Sequence, residues 1–364
     1  MKETLDLQTS QKTVRAVTGT SILADELRRY TDTTGRTEAV AFVDANVWSH
    51  HQAAIDEAIA VSGLSCRYIT VPEGESSKTV AFWEQCQTDL LAHHIRRDTT
   101  IIAIGGGVTG DLAGFVAATV LRGVPLLHVP TTVLAMVDSA IGGKTGINHP
   151  MGKNLIGAFY QPEAIIADLR FLDTLPPREW ANGLSEILKY GYIADAALFS
   201  QCELFLDKTP SATHPDRLMA LIRRCIEIKA DIVQRDEFEG GVRAFLNFGH
   251  TFAHALEKNL HFDTISHGEA VYIGMHCALH MSNKTASEPI PDHLHPFRSL
   301  YSFRIREEDV KTEELIEAMR SDKKNRAEEG FRFVLLKKLQ HPYLKTVTDK
   351  SLIAESLADG LDQL

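Results

Sequence analysis

Three histidines fall close together in the chain. His250 and His254 lie in "NFGHTFAHALE", and His267, in "SHGEA", follows thirteen residues after His254. A separation of four residues is just over one helical turn, so His250 and His254 project from one helix face. Upstream, Glu186 in "GLSEILKYG" precedes Lys189 by three residues on another helical stretch. Glu186, His250 and His267 make a His₂Glu set, and a zinc held by three protein ligands keeps a coordination position open for substrate. Spacing alone leaves the roles open. A histidine is as well suited to a structural hydrogen bond, and the HxxxH pair lacks the glutamate beside its first histidine that a metalloprotease needs.

A second group of residues suits phosphate. "GGGVTGD" (105–111) follows a strand and opens a helix, where glycine N–H groups can cradle an anion. It does not follow the first strand, and no acidic residue sits about twenty positions on, so a tight strand–helix turn fits as well. Asp44 and Asn46 end an earlier strand, and Glu75 and Lys78 in "PEGESSK" end the next. Each suits a helix cap or a solvated charge, but their shared place at strand carboxyl ends favours a dinucleotide. The segment "VPTTVLAMVDSAIGGKTGINHPMGKN" (129–154) sets Asp138, Lys144, Asn148, Lys153 and Asn154 among glycines, a pattern suited to an oxyanion. The apolar run before Lys144 implies partial burial, and a buried charge needs a partner. Lys189, Lys229, Arg243, Lys323 and Lys324 read, from spacing alone, as exposed side chains.

The elements that position these residues differ between the two halves. "AVAFVD" (39–44), "CRYITV" (66–71), "TTIIAIGGG" (99–107) and "PLLHVP" (125–130) are short strands separated by helical stretches such as 78–94. This alternation predicts a doubly wound parallel sheet, with ligands at the strand carboxyl ends. The pattern changes at "LDTLPPREW" (172–180), where Pro177 suits the first turn of a helix. Segments of helical periodicity follow, among them "DRLMALIRRCIEIKADIVQRD" and "HGEAVYIGMHCALHMSN". The expected organisation is an α/β, Rossmann-like NAD-binding domain over 1–170 and a mainly α-helical, metal- and substrate-binding domain over 171–364.

Composition excludes several classes. The net charge is -10, against the basic footprint of a nucleic-acid binder. The five cysteines are widely spaced with no CxxC, so neither a disulfide framework nor a cysteine zinc site is expected. The polar start "MKETLDLQTSQK" carries no signal-peptide core, and no apolar run reaches the roughly 18 residues of a membrane span. These features predict a soluble cytoplasmic protein.

Several longer blocks go beyond generic constraints: "PEGESSKT", "GGGVTGDLAGFVAATVLRG", "PTTVLAMVDSAIGGKTGINHPMGKNLIGAFYQP", "LPPREWANGLSEILKYG", "GGVRAFLNFGHTFAHALE", "SHGEAVYIGM" and "DKKN". Through them nearly the whole chain resembles the 3-dehydroquinate synthase family of sugar phosphate cyclases. The resemblance implies an NAD-binding α/β domain, a helical domain and an active site in the cleft between. It implies conversion of 3-deoxy-D-arabino-heptulosonate 7-phosphate into 3-dehydroquinate and phosphate, through transient oxidation by NAD, phosphate elimination, reduction and aldol closure. Glu186, His250 and His267 match the family's ligands for zinc or cobalt, and His254 its non-ligand histidine. Lys144, Asn154 and Lys189 match substrate and phosphate contacts; Asp138 and Asn247 match hydroxyl contacts. Lys229 and Arg243 match carboxylate binders, and Lys324 (or Lys323) a late substrate lysine. Arg122 matches an arginine that reaches the neighbouring subunit's site, which implies a homodimer. Gly106, Gly107, Asp111, Thr131, Thr132, Lys153 and Thr174 match NAD contacts, joining Asp44, Asn46, Glu75 and Lys78.

Relatives that make valiolones or inososes take sugar phosphates without a carboxylate. Arg243 here favours the carboxylated sugar, because arginine pairs bidentately with carboxylate. Phe248 and Ala253 stand where the family often has Leu and Gly, which bears on packing more than on chemistry. Metal-dependent NAD alcohol dehydrogenases, such as glycerol dehydrogenase, share the two-domain layout. They need no phosphate pocket like that implied from Lys144 to Asn154, and unlike a cyclase they release NADH. A catalytically dead paralogue disagrees with the filled catalytic positions.

Overall fold

The computed structural model describes every residue except 1, 208–209, 261–263, 307–308 and 321–329. The chain divides into two compact units, Met1–Leu175 with Thr209–Phe238, and Pro176–Lys208 with Glu239–Leu364.

The first unit is built on a seven-stranded sheet. Its strands are β1 (Lys2–Gln8), β2 (Thr13–Gly19), β3 (Glu38–Asp44), β4 (Ser65–Val71), β5 (Thr100–Gly105), β6 (Leu126–Pro130) and, after the separate hairpin of β7 (Lys144–His149) and β8 (Gly152–Phe159), β9 (Ala164–Asp168). The order is β1-β2-β9-β6-β5-β3-β4, parallel throughout except for the antiparallel edge strand β1. In β3 the side chains alternate between two apolar cores. Ala41 and Val43 pack toward α1 (Leu23–Thr34) and α2 (Ala45–Ser62). Val40 and Phe42 pack toward α3 (Val80–Ala92) and α4 (Gly107–Thr119). A strand covered on both faces reads as a continuous apolar run, which is how "AVAFVD" was recognisable. Each large apolar side chain buried this way contributes roughly 1.5–3 kcal/mol. Asp168, at the end of β9, accepts hydrogen bonds from the N–H groups of Ser21, Ile22 and Leu23 at 2.7, 2.8 and 3.1 Å, and so starts α1.

The second unit is mainly helical. It contains α5 (Pro177–Ile193) and α6 (Ala197–Gln201); α7 (Pro210–Thr213) and α8 (Pro215–Arg235) then return to the first unit. It continues with α9 (His250–Asn259), α10 (His267–Asn283), α11 (Thr312–Arg320), the hairpin of β10 (Phe331–Leu336) and β11 (Pro342–Val347), and α12 (Lys350–Leu361). Pro177 takes the first helical position of α5, as its fixed φ and missing N–H favour. α10 lies at the centre, packed against α5, α9, α12 and β10.

The units part at Leu175/Pro176, and α8, with Lys229, packs with the first unit rather than within a continuous 171–364 domain. The cause is packing: the apolar face of α8 lies on β1, β2 and the π-helical turn Ala135–Ser139. Periodicity reveals such a face but not which neighbour covers it. No helix among the described residues is long and apolar enough to cross a membrane.

Candidate active site

In the second unit the sequence-predicted ligand set comes together. One ligand atom from each of Glu186, His250 and His267 lies within 4.8 Å of the others. Three elements supply them. Glu186 sits in α5, where every residue from Ala181 to Ile193 is buried. His250 is the first residue of α9 and His267 the first of α10. The start of α10 is fixed by a capping box between Ser266 and Glu269, and Arg178 of α5 holds the Glu269 carboxylate at 2.7 Å. Asn182 of α5 accepts from the Gly268 N–H at 2.9 Å, so α5 positions both Glu186 and His267.

Two glycines let α9 begin against α10. Gly249 has φ +80, and a Cβ there would stand 2.8 Å from the Met275 nitrogen. A Cβ on Gly274 would stand 2.2 Å from the Gly249 carbonyl oxygen. Backbone meets backbone at this point, and no larger side chain fits.

Both histidines turn the same edge toward the glutamate. His250 Nε2 lies 3.5 Å and His267 Nε2 3.4 Å from Glu186 Oε1. On the opposite edge, His250 Nδ1 lies 3.2 Å from the Phe248 carbonyl oxygen. A carbonyl only accepts, so that nitrogen carries the proton and Nε2 has a lone pair to offer. Burial, and then the neighbouring Lys189 ammonium, push the His250 pKa well below 6.5, which keeps the imidazole neutral. His267 goes the other way: burial opposes its charge, but Glu186 and Glu257 outweigh burial and raise its pKa to about 10. A ligand role for His267 Nε2 requires that proton to leave. Lys189 Nζ donates to Glu186 Oε2, so the buried glutamate serves two imidazoles and one ammonium. The chemistry of this set, one carboxylate and two imidazoles in a buried cluster, fits a zinc or cobalt ion.

His254 is exposed on the same face of α9, its ring 5.6 Å from that of His250. The Asn247 amide donates to Glu239 at 2.9 Å, and Arg243, in the turn before α9, is 1% exposed. Lys323 and Lys324 lie outside the described residues.

In the first unit the glycine-rich turn opens α4, with Gly106 as its N-cap and Thr132 packed against it. Beside it lies a polar cluster. Lys78 is 2% exposed and donates to Asp111 and Asn154, each at 2.7 Å. Burial opposes the lysine charge, but Asp111 and Glu75 outweigh it and hold the pKa above the ordinary lysine value. Asn148 links Glu75, at 2.7 Å, to the Asn154 N–H, at 2.9 Å. Glu75, Lys78, Asp111, Asn148 and Asn154 thus form one network, with Asn154 in the left-handed region at φ 53. Lys229 Nζ lies 2.9 Å from Asp138 Oδ1 and also donates to the Asp138 carbonyl at 2.6 Å. Asp138 belongs to the π-helical turn, a local irregularity often found at functional sites. Asp44 caps α2, accepting from the Asn46 and Val47 N–H groups at 2.9 and 3.3 Å. Thr131 is buried behind the glycine turn, Lys144 begins β7, and Lys153 lies in β8. Leu121 and Arg122 take φ of 50 and 69, a strained turn that fixes where the exposed Arg122 starts.

Three residues that touch this machinery were missed in the sequence. Glu257 lies 3.5 Å from His267 Nδ1; its signal was available, since 250, 254 and 257 share one helix face. Glu239 holds Asn247, and His51 Nε2 lies 2.7 Å from Thr174 Oγ1. Neither of these has a local sequence signal.

His128 of β6 lies beneath the same glycine turn, with its ring against Gly110. Burial pushes its pKa from 6.5 down to about 4. The unfolded chain therefore binds this proton first as pH falls. Stability is complete above about pH 6.5 and is lost toward pH 4. Between pH 7 and pH 5 the expected loss from this residue is about 2 kcal/mol. Urea unfolding of the wild type and of His128→Gln at both pH values checks this: the variant should show the smaller pH-dependent loss, and equal losses would contradict it.

The fold and this ligand set place the chain in the class of α/β-plus-helical enzymes to which the sugar phosphate cyclases belong. A solved 2-deoxy-scyllo-inosose synthase, bound to carbaglucose-6-phosphate, NAD+ and Co2+, is 26% identical with a TM-score of 0.85, covering 99% of this chain and 100% of that one. The fold is also shared with a 2-epi-5-epi-valiolone synthase from Streptomyces hygroscopicus with NAD+ and Zn2+ bound (22% identity, TM-score 0.82, covering 98% of this chain and 99% of that one). The chain belongs to the 3-dehydroquinate synthase family: residues 68–182 match the model of the N-terminal part and residues 183–325 that of the C-terminal part. It is 43% identical over 305 residues to a 3-dehydroquinate synthase of Salinibacter ruber, covering 83% of this chain and 82% of that protein.

Proposed function

We propose that the chain is a 3-dehydroquinate synthase, a lyase that converts 3-deoxy-D-arabino-heptulosonate 7-phosphate into 3-dehydroquinate and phosphate. It acts in the cytoplasm as a homodimer, with NAD and a divalent ion, zinc or cobalt. The observation that carries this reading is the 43% identity to the Salinibacter ruber enzyme over most of the chain. The buried Glu/His/His cluster supports it.

When bound, NAD supplies reversible hydride transfer and the metal supplies Lewis acidity at a substrate hydroxyl. The protein's own groups do the rest. Glu186 and the Nε2 atoms of His250 and His267 hold the metal. Gly106 and Gly107, at the start of α4, offer N–H groups to the cofactor phosphates. Asp44, Asn46, Glu75, Lys78, Asp111, Thr131, Thr132, Lys153 and Thr174 bind the remainder of the cofactor. Lys144, Asn154 and Lys189 bind the phosphate group of the sugar and stabilise its negative charge as the C–O bond breaks and it leaves as inorganic phosphate. Asp138 and Asn247 orient ring hydroxyls, and the exposed imidazole of His254 carries a proton to or from the substrate. Arg243 and Lys229 bind the carboxylate, joined by Lys324. Arg122 reaches the partner subunit's site.

The test compares phosphate release from the carboxylated sugar with release from sedoheptulose 7-phosphate and glucose 6-phosphate. Release from the carboxylated sugar alone is expected, and release from a neutral sugar phosphate would move the chain to another cyclase activity. Arg243→Ala, checked for folding by circular dichroism, should cost about a hundred-fold or more in kcat/KM on the carboxylated sugar, since it removes the bidentate partner of a desolvated carboxylate and leaves only the lysines to hold it.

A further inference from the structure

Glu257 is 5% exposed and lies on the face of α9 that carries His250 and His254. Burying a carboxylate is costly unless it has a partner of opposite charge or a strong donor. Its Oε1 lies 3.5 Å from His267 Nδ1. That nitrogen is on the far edge of the ring from Nε2, which faces Glu186 Oε1 at 3.4 Å. Glu257 therefore stands behind the imidazole and outside the converging set of Glu186, His250 and His267. His250 is held in the same sense but by a weaker acceptor, the neutral Phe248 carbonyl.

We propose that Glu257 is a positioning residue for the metal centre. It accepts the Nδ1–H of His267, fixes the tautomer that presents Nε2, and makes this imidazole the stronger donor of the two. The inference rests on the reading of Glu186, His250 and His267 as metal ligands. Its physical basis is general: a carboxylate behind a ligating histidine locks the ring orientation and raises its basicity.

The experiment uses the full-length protein, stripped with a chelator and then titrated with Zn2+ against a chromophoric competitor. Co2+ loading followed by visible absorption is the second readout. Glu257→Leu removes the acceptor without adding a polar group, and Glu257→Gln keeps an oxygen but removes the charge. Zinc affinity should fall about 10–100-fold in Glu257→Leu and less in Glu257→Gln, with NAD affinity unchanged. The Co2+ spectrum should shift in the same order. Wild-type affinity and spectrum in Glu257→Leu overturn the inference while leaving the metal centre intact. A wild type that binds neither ion overturns the metal-centre reading, and this inference with it. If Glu257→Leu does not fold, Glu257→Gln decides alone: a several-fold loss supports the role, and wild-type affinity overturns it.

Discussion

Glu186→Gln is expected to strip zinc from the protein and to cut turnover by about a thousand-fold or more. The estimate follows from the several kcal/mol of transition-state stabilisation that a bound metal supplies, at about 1.4 kcal/mol per tenfold in rate. Glu186 is fully buried, and a carboxylate is tolerated there because His250, His267 and Lys189 converge on it. Glutamine keeps the shape but not the charge, so the cluster loses the carboxylate that faces both Nε2 atoms. Lys189, 1% exposed, then also loses a carboxylate partner, and breaking a buried pair costs about 3–5 kcal/mol. Metal analysis, turnover and thermal melting separate the two effects. Loss of metal and activity beyond what the melting shift explains supports a metal ligand. A variant that melts earlier but keeps its zinc and turnover would show that Glu186 is only an ion-pair residue.

Gly274→Ala is expected to disrupt the same centre without touching any ligand. The added Cβ would stand 2.2 Å from the Gly249 carbonyl oxygen and 3.1 Å from the Ala253 nitrogen. Both are backbone atoms, so no side chain can swing away, and the start of α9 must move off α10. His250 is the first residue of α9 and His267 the first of α10, so their separation changes with that shift. Overpacking of this kind costs about 1–3 kcal/mol, and metal sites lose affinity when ligand distances change by tenths of an ångström. The expected result is a lower melting temperature together with weaker zinc binding. Unchanged zinc affinity in a folded Gly274→Ala would show that the helix contact does not set the ligand geometry.

Much of the fold was legible because its signals are local. β3 to β6 carry short apolar runs of the kind a doubly covered sheet imposes, and Pro177 marks the start of α5. The β7–β8 hairpin was not legible as a pair of strands, because glycine is rare in strands. In the structure those glycines are what permits the pairing: a Cβ on Gly157 would stand 2.2 Å from the Thr145 carbonyl oxygen, and one on Gly146 2.7 Å from that of Ile156. The unit to which α8 belongs was illegible, since a helix face records its own apolarity and not the surface that covers it. In the site, Glu186, His250 and His267 were legible as a set of types, and the resemblance to the family marked them. Their convergence depends on the Asn182–Gly268 and Gly249–Gly274 approaches, which no spacing encodes. Glu257 could have been read from helical periodicity; His51 and Glu239 could not.

The measurement that tests the central claim most directly is phosphate release from 3-deoxy-D-arabino-heptulosonate 7-phosphate with zinc and substoichiometric NAD, with NADH followed by absorbance throughout. The expected result is many phosphates released per NAD, with no net NADH, because the cofactor is reduced and reoxidised within each turnover. NADH rising in step with substrate consumption would contradict it and make the protein a dehydrogenase.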